Sequence, residues 1–157
     1  MSGTWQTVTA PSGPANAGTM LLLTDGTVLC HDEPNSGAVS GSNRWYKLSP
    51  DSAGNYRTGS WQALTNGPNS PLYFACSVLR DGRVFIAGGE YNGTSTAVEL
   101  LAAEIYDPVA NSWTTIGTPA GWTQIGDAPS CVLTDGRVLL GDIGSNRCAI
   151  YDPVANT

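Results

Sequence analysis

The chain has 157 residues, enough for one domain with a sizeable core, and a net charge of −6. Its six arginines and single lysine form no cluster, so nucleic acid and anionic membrane are poor partners: no basic patch neutralises phosphates. No apolar run approaches the roughly 20 residues that span a bilayer, and Met1-Ser2-Gly3-Thr4 does not open a signal peptide. With 19 glycines, 10 prolines and ordinary apolar content, the composition is that of a turn-rich all-β protein rather than a disordered one.

In chain order, the first element is Trp5-Gln6-Thr7-Val8, which reads as a strand. Leu21-Leu22-Leu23-Thr24-Asp25-Gly26-Thr27-Val28-Leu29 follows as an apolar run broken by an Asp-Gly turn, with Leu48-Ser49-Pro50 further on. A second tryptophan, Trp61, opens an interval with the same words in clearer form. Ala75 to Leu79 is a strand, Asp81-Gly82 a two-residue hairpin turn, and Arg83 to Ala87 the returning strand. Gly88-Gly89 ends it where the backbone must bend or approach closely. After a loop, Ala103 to Tyr106 forms a third strand, Asp107-Pro108 opens a turn, and Trp113-Thr114-Thr115-Ile116 forms the fourth. Thr96 to Glu104 has helical composition, but the repeat allows at most one helical turn near Val98 to Leu101. The third interval has Asp135-Gly136-Arg137-Val138 and Ile150-Tyr151-Asp152-Pro153-Val154-Ala155-Asn156. All four cysteines, Cys30, Cys76, Cys131 and Cys148, fall in predicted strands. They read as buried free thiols acting as small hydrophobes, with a disulfide as the alternative.

Self-similarity at a period of about 50 residues indicates a repeat architecture. Four antiparallel strands ending on a large aromatic make a propeller blade, which hides its two faces against its neighbours. The tryptophans Trp5, Trp61 and Trp113 are expected in the seams between blades, each contributing about 2–3 kcal/mol by burial. Gly82 and Gly136 are expected to serve the turns.

The words Asp-Gly-Arg-Val at 81–84 and 135–138, Ala87-Gly88-Gly89, and Ala103-Glu104-Ile105-Tyr106-Asp107-Pro108 together with the spaced tryptophans resemble Kelch repeats, specifically the bacterial group related to the central propeller of galactose oxidase. The resemblance covers essentially the whole chain. The third repeat departs from it with Gly141-Asp142 in place of the glycine pair, and the first with His31-Asp32-Glu33. Such proteins usually carry six or seven blades. Residues 1–157 form one Kelch-type unit with repeats at about 5–60, 61–112 and 113–157, which is material for three four-stranded blades.

Three blades do not close a ring. Residues 5–8 read as a closing fourth strand with no blade before it, and Tyr151 to Thr157 as a third strand plus its turn. Two chains are therefore expected to join by two-fold symmetry into a six-bladed ring, each donating residues 5–8 to the other's last blade. The alternative is a piece of a longer propeller, or a chain made to probe how half-propellers assemble.

The strand path puts the Asp-Gly turns on one face and the long irregular loops on the other: Pro11 to Gly18, His31 to Asn43, Thr65 to Tyr73, Glu90 to Thr96, Gly117 to Pro129 and Asp142 to Arg147. A binding site belongs on that second face, near the central channel. Tyr73, Tyr91 and Trp122 are candidates to stack on a sugar or peptide, with Arg44, Arg147, Asn146, Asn92 and Gln124 as hydrogen-bonding partners. The bland reading for Trp122 and Tyr73 is packing under their own loops. His31, Asp32, Glu33 and Asp142 are weak candidates for a hard-cation site, against the expectation of a solvated acidic rim.

The resemblance to galactose oxidase implies copper held by two histidines and tyrosines beside a tyrosine–cysteine cross-link. With one histidine, those copper residues map onto no position here. The expected function is a non-catalytic binding or scaffold module for a protein or glycan, without a cofactor. A lectin or a degenerate sugar oxidase are the alternatives.

Overall fold

The computed structural model describes residues 3–8, 12–36 and 39–157. Fifteen strands occur among them: β1 (Ala17–Leu22), β2 (Val28–Asp32), β3 (Asn35–Ser36), β4 (Val39–Ser40), β5 (Trp45–Ser49), β6 (Ser60–Ala63), β7 (Pro71–Leu72), β8 (Ala75–Val78), β9 (Val84–Ala87), β10 (Tyr91–Asn92), β11 (Ala103–Asp107), β12 (Ser112–Ile116), β13 (Ser130–Val132), β14 (Val138–Gly141) and β15 (Cys148–Tyr151). One 3₁₀ turn, Tyr56–Thr58, is the sole helical element among the described residues.

The strands make three antiparallel blades. The first is β1-β2-β5-β6, the second β8-β9-β11-β12 in the same path, and the third β13-β14-β15. A small hairpin, β3 with β4, and a two-stranded ladder joining two separate loops, β7 with β10, decorate the loop face. Matching registers define equivalent positions: Leu48 faces Trp61 in the first blade as Tyr106 faces Trp113 in the second. The innermost strands β1, β8 and β13 contact one another in order, so they line the channel side of the arc.

Alternation along each strand divides the side chains between two seams. Leu29 and Trp45 of the first blade pack with Val84, Ile86 and Tyr106 of the second. Phe85, Ala103 and Ile105 on the opposite face of the second blade pack with Val138 and Leu140 of the third. The outer flanks stay open. On the first blade Leu22 is 64% exposed, and on the third Ile150 is 48% exposed in register with Leu139 and Cys131.

The turns between first and second strands are identical in all three blades, with one correction to the expected geometry. Leu79 N donates to Arg83 O at 2.8 Å and Gly82 N to Leu79 O at 3.0 Å, so the loop has three residues, Arg80-Asp81-Gly82, rather than two. Only the glycine takes positive φ: +82° at Gly26, +88° at Gly82 and +94° at Gly136. This is a turn followed by a left-handed residue that resets the strand register. Asp25, Asp81 and Asp135 each accept a backbone N–H two residues on, which explains why aspartate recurs there.

Two further expectations are corrected, on the helical turn and on the cysteines. Val98 to Leu101 forms no helical turn, and Glu99 sits at φ 45°, because the segment instead ties its backbone to Gly89 and Glu90. Trp5 is fully exposed, and residues 5–8 form no strand. The single chain offers Trp5 no neighbouring blade to pack on. Of the cysteines, only Cys30 is fully buried, while Cys131 and Cys148 are exposed on the open flank of the third blade; all four are free thiols. Burial pushes the Cys30 and Cys76 thiols up to about 11, so neither is a reactive thiolate at neutral pH.

Candidate functional site

The long loops gather on the face opposite the Asp-Gly turns, and the ends of the second strands set their geometry. In each blade the residue after the strand's last apolar position donates its N–H to the loop's return: Asp32 N to Arg44 O at 3.1 Å, Gly88 N to Ala102 O at 2.9 Å and Asp142 N to Arg147 O at 3.1 Å. The first and third blades use that residue's side chain as well. The Asp32 carboxylate accepts from Asn16 N at 2.8 Å and Arg44 Nε at 2.8 Å, while its side chain is 1% exposed. The Asp142 carboxylate accepts from Gly144 N at 2.9 Å, Ser145 Oγ at 2.8 Å and Arg147 Nε at 3.0 Å. The second blade has glycine there because the loop at Ile125 and Gly126 presses against Gly88, leaving no room for a Cβ.

The expectation of a solvated acidic rim is corrected: Asp32 and Asp142 are buried, each paired with an arginine. Arg147 beside Asp142 holds its carboxyl well below the usual range, at about 2, against the opposing effect of burial. His31 is fully buried. Its Nε2 lies 2.6 Å from Ser42 O and its Nδ1 3.2 Å from Glu33 Oε1, and its ring packs tilted against Trp45 and edge-on against Phe74 at centroid distances of 4.4 and 5.2 Å. Burial tends to raise the Glu33 carboxyl, but hydrogen bonds from His31 and Thr19 outweigh it and hold the group low. No group of three or more histidine, cysteine, aspartate or glutamate side chains suited to a metal occurs among the described residues. With the sole histidine engaged at both nitrogens, the donor set does not fit copper.

The ligand-binding candidates separate into two places. Tyr73 and Tyr91 meet edge-to-face with ring centroids 6.2 Å apart, beside the paired strands β7 and β10. Asn35 Nδ2 donates to the Tyr73 hydroxyl at 2.8 Å from the first blade's loop. The Glu90 carboxylate raises the Tyr91 phenol, and Glu99 adds to the effect. Tyr73 stands in the left-handed region at φ 57° with 43% of its surface exposed. Asn92 is structural here, its Oδ1 accepting from Ser70 N at 2.7 Å. Trp122 is half-buried against the core between the second and third blades, and Arg147 lies over its ring, 5.2 Å from the centroid. Gln124 Nε2 approaches Asp142 Oδ1 at 3.4 Å, and Asn146 is exposed beside Arg147. Arg44 and Arg147 thus clamp buried aspartates with one part of the guanidinium and leave nearly half of each side chain in solvent.

Asn35 escaped the sequence reading because nothing local ties it to Tyr73, 38 residues away. Glu104 escaped it too. It is buried in β11, bonded to the Asn69 side-chain amide, with its carboxyl raised by burial against that bond. An acid inside an otherwise apolar strand was the available signal.

The blades, the turns and their order define a Kelch-type β-propeller arc. No family model matches the chain. It is 29% identical over 119 residues to an N-acetylneuraminate epimerase of Yersinia enterocolitica, and 31% identical over the same length to the epimerase of Yersinia pestis. Each match spans 74% of this chain and 29% of the relative, so the chain accounts for less than a third of those proteins. An F-box/kelch-repeat protein of Arabidopsis thaliana is 36% identical over 58 residues, covering 37% of this chain and 16% of its own. A solved fungal alcohol oxidase of the AA5 family, in complex with copper, superposes over 99% of this chain and 32% of its own, with TM-score 0.62 and 23% identity. These matches relate the chain to the Kelch-repeat β-propellers and, in fold, to the galactose oxidase-like propellers.

Proposed function

We propose that this chain is a non-catalytic binding module that takes a neutral glycan on its loop-rich face, at the Tyr73–Tyr91 platform. The observation that carries the reading is Tyr73. A tyrosine in left-handed backbone costs about 1–2 kcal/mol, and here it turns an aromatic ring outward rather than into the core. Such strain is retained where the exposed geometry is useful. Two tyrosines at an angle, an amide at Asn35 and a carboxylate at Glu90 provide the stacking face and hydrogen-bonding groups that hydroxyl-rich rings require. Glu90 and Glu99 beside the platform, and the net charge of −6, disfavour anionic ligands. The epimerase relatives are named for a sugar that is itself a carboxylate anion, so their name supports a hydroxyl-bearing ligand and not its charge.

Titration against a panel of neutral oligosaccharides tests the reading. Binding is expected in the micromolar to millimolar range, weakened at least about tenfold by Tyr73→Ala. A flat panel, or binding indifferent to Tyr73→Ala, overturns it. Copper-dependent peroxide release from a primary alcohol would replace it with the oxidase reading.

A further inference from the structure

Two grooves cross the face that carries the Asp-Gly turns, opposite the tyrosine platform. One, of about 250 Å³, lies between the first and second blades and is lined by Leu23, Asp25, Asp81, Gly82, Asp107 and Val109. The other, of about 410 Å³, lies between the second and third and is lined by the equivalent residues Leu79, Asp81, Asp135, Gly136, Asp152 and Val154. The first is bounded by residues 23–109, and its outer turn runs on into β12, so neither end of the chain shapes it. The valines are the residues that the turns leave unexplained. In the Asp-Pro-Val-Ala-Asn turn after each third strand, Asp107 Oδ1 accepts from Val109 N at 2.8 Å and Asp152 Oδ1 from Val154 N at 2.9 Å. Asn111 and Asn156 take the left-handed conformation at φ 50° and 58°, and proline restricts the bend. Valine has no such part in a turn, because its branched side chain favours extended backbone. Yet Val109 is 96% exposed and Val154 94% exposed, each lining its groove.

We infer that this face binds an extended basic segment of a partner protein, with lysine or arginine side chains lying in the grooves. Charge selects that occupant. The first groove holds three aspartates against one arginine, Arg83, and the second holds three against two, Arg80 and Arg137. Arg83 and Arg137 pair with Asp81 and Asp135 of their own turns at 2.7 and 2.6 Å, and Arg80 donates to Thr134 O. Asp25, Asp107 and Asp152 form no ion pair among the described residues. Backbone hydrogen bonds from Thr27 hold the Asp25 carboxyl below its usual range, and those from Ala155 and Val154 do the same for Asp152, so both are anions at neutral pH. In the first groove these carboxylates come from two sides, Asp25 from the first blade and Asp107 from the second. A carboxylate beside an exposed aliphatic group suits a long cationic side chain, which lays its methylene stem on apolar surface and its head on charge. The groove repeats from one blade to the next, which matches a segment carrying several cations rather than a single small amine.

The probe is a synthetic peptide of about ten residues alternating lysine with proline, extended and unable to pair into strands of its own. At low salt it is expected to bind with a Kd of about 0.1 mM, and to weaken as salt rises. The same peptide with glutamate in place of lysine should not bind. Backbone amide NMR signals of Gly82, Val109, Gly136 and Val154 should shift, and those of Tyr73 and Tyr91 should not. The deciding variant is Val109→Ser combined with Val154→Ser. It leaves the net charge unchanged and alters only side chains that stand in solvent, so the fold is kept, which circular dichroism checks. It should weaken the lysine peptide at least about fivefold. Unchanged affinity would reduce the binding to a general attraction between a cation and an acidic protein, and overturns the inference. So does equal binding of the glutamate peptide, no binding of the lysine peptide at millimolar concentration, or shifts confined to the tyrosine platform.

Discussion

The two seams between blades use the same backbone and the same tyrosine, yet one is closed and the other open. Between the first and second blades, Trp113 and Trp45 cover Tyr106 until it is fully buried, and burial pushes its phenol up to about 12. Between the second and third, Tyr151 has Phe85 at 5.6 Å on one side and a cavity on the other. The lesson is that a blade supplies most of a seam but not its lid. The lid comes from the outermost strand, and it is the element that decides whether the core excludes water.

The comparison breaks first at the tyrosines. Tyr106→Ala should cost about 3–5 kcal/mol in chemical denaturation, the usual range for a fully buried aromatic. Tyr151→Ala should cost roughly 1–2 kcal/mol, because less apolar area leaves contact. Equal costs would mean that the second seam is as closed as the first. The next effect lies at the glycines. Gly88→Ala should cost more than about 2 kcal/mol, combining left-handed backbone with a clash against Gly126. Gly54→Ala, also at positive φ but with open space around it, should cost about 1 kcal/mol.

The smallest effect sharpens the contrast between the aspartate-ended and glycine-ended strands. Asp142 has its carboxyl held down to about 2, so between that value and the ordinary aspartate range the unfolded chain binds more protons than the folded one. Its contribution is present above the ordinary range and is lost as pH falls through about 2. In Arg147→Ala the carboxyl should titrate closer to its ordinary value, and acid unfolding followed by circular dichroism should begin at higher pH. An unchanged acid limb would show that the pair does not stabilise the third blade's loop.

Much of the architecture was legible in the sequence. The Asp-Gly words, the Tyr-Asp-Pro words and the tryptophans marked strands and turns because each is a local device: an aspartate binding its own backbone, a glycine at positive φ, a proline restricting a turn. The aromatic candidates Tyr73 and Tyr91 could be named but not paired. Their meeting depends on a two-residue pairing of β7 with β10 across two intervening strands of sequence, which no periodicity announces. His31, Asp32 and Glu33 looked like a solvated rim because charged side chains usually face water. The structure buries His31 and Asp32 and satisfies them with Arg44 and the Ser42 carbonyl, partners a dozen or so residues away.

Sequence alone established the repeat and the strand order within a blade, since these follow from recurring words and short-range turn chemistry. Tertiary structure decided which seam is closed, why the second blade requires Gly88 where the others carry aspartate, and which polar groups are buried. Those outcomes depend on the close approach of loops from different blades, and contacts between segments far apart in the chain leave no local pattern to read.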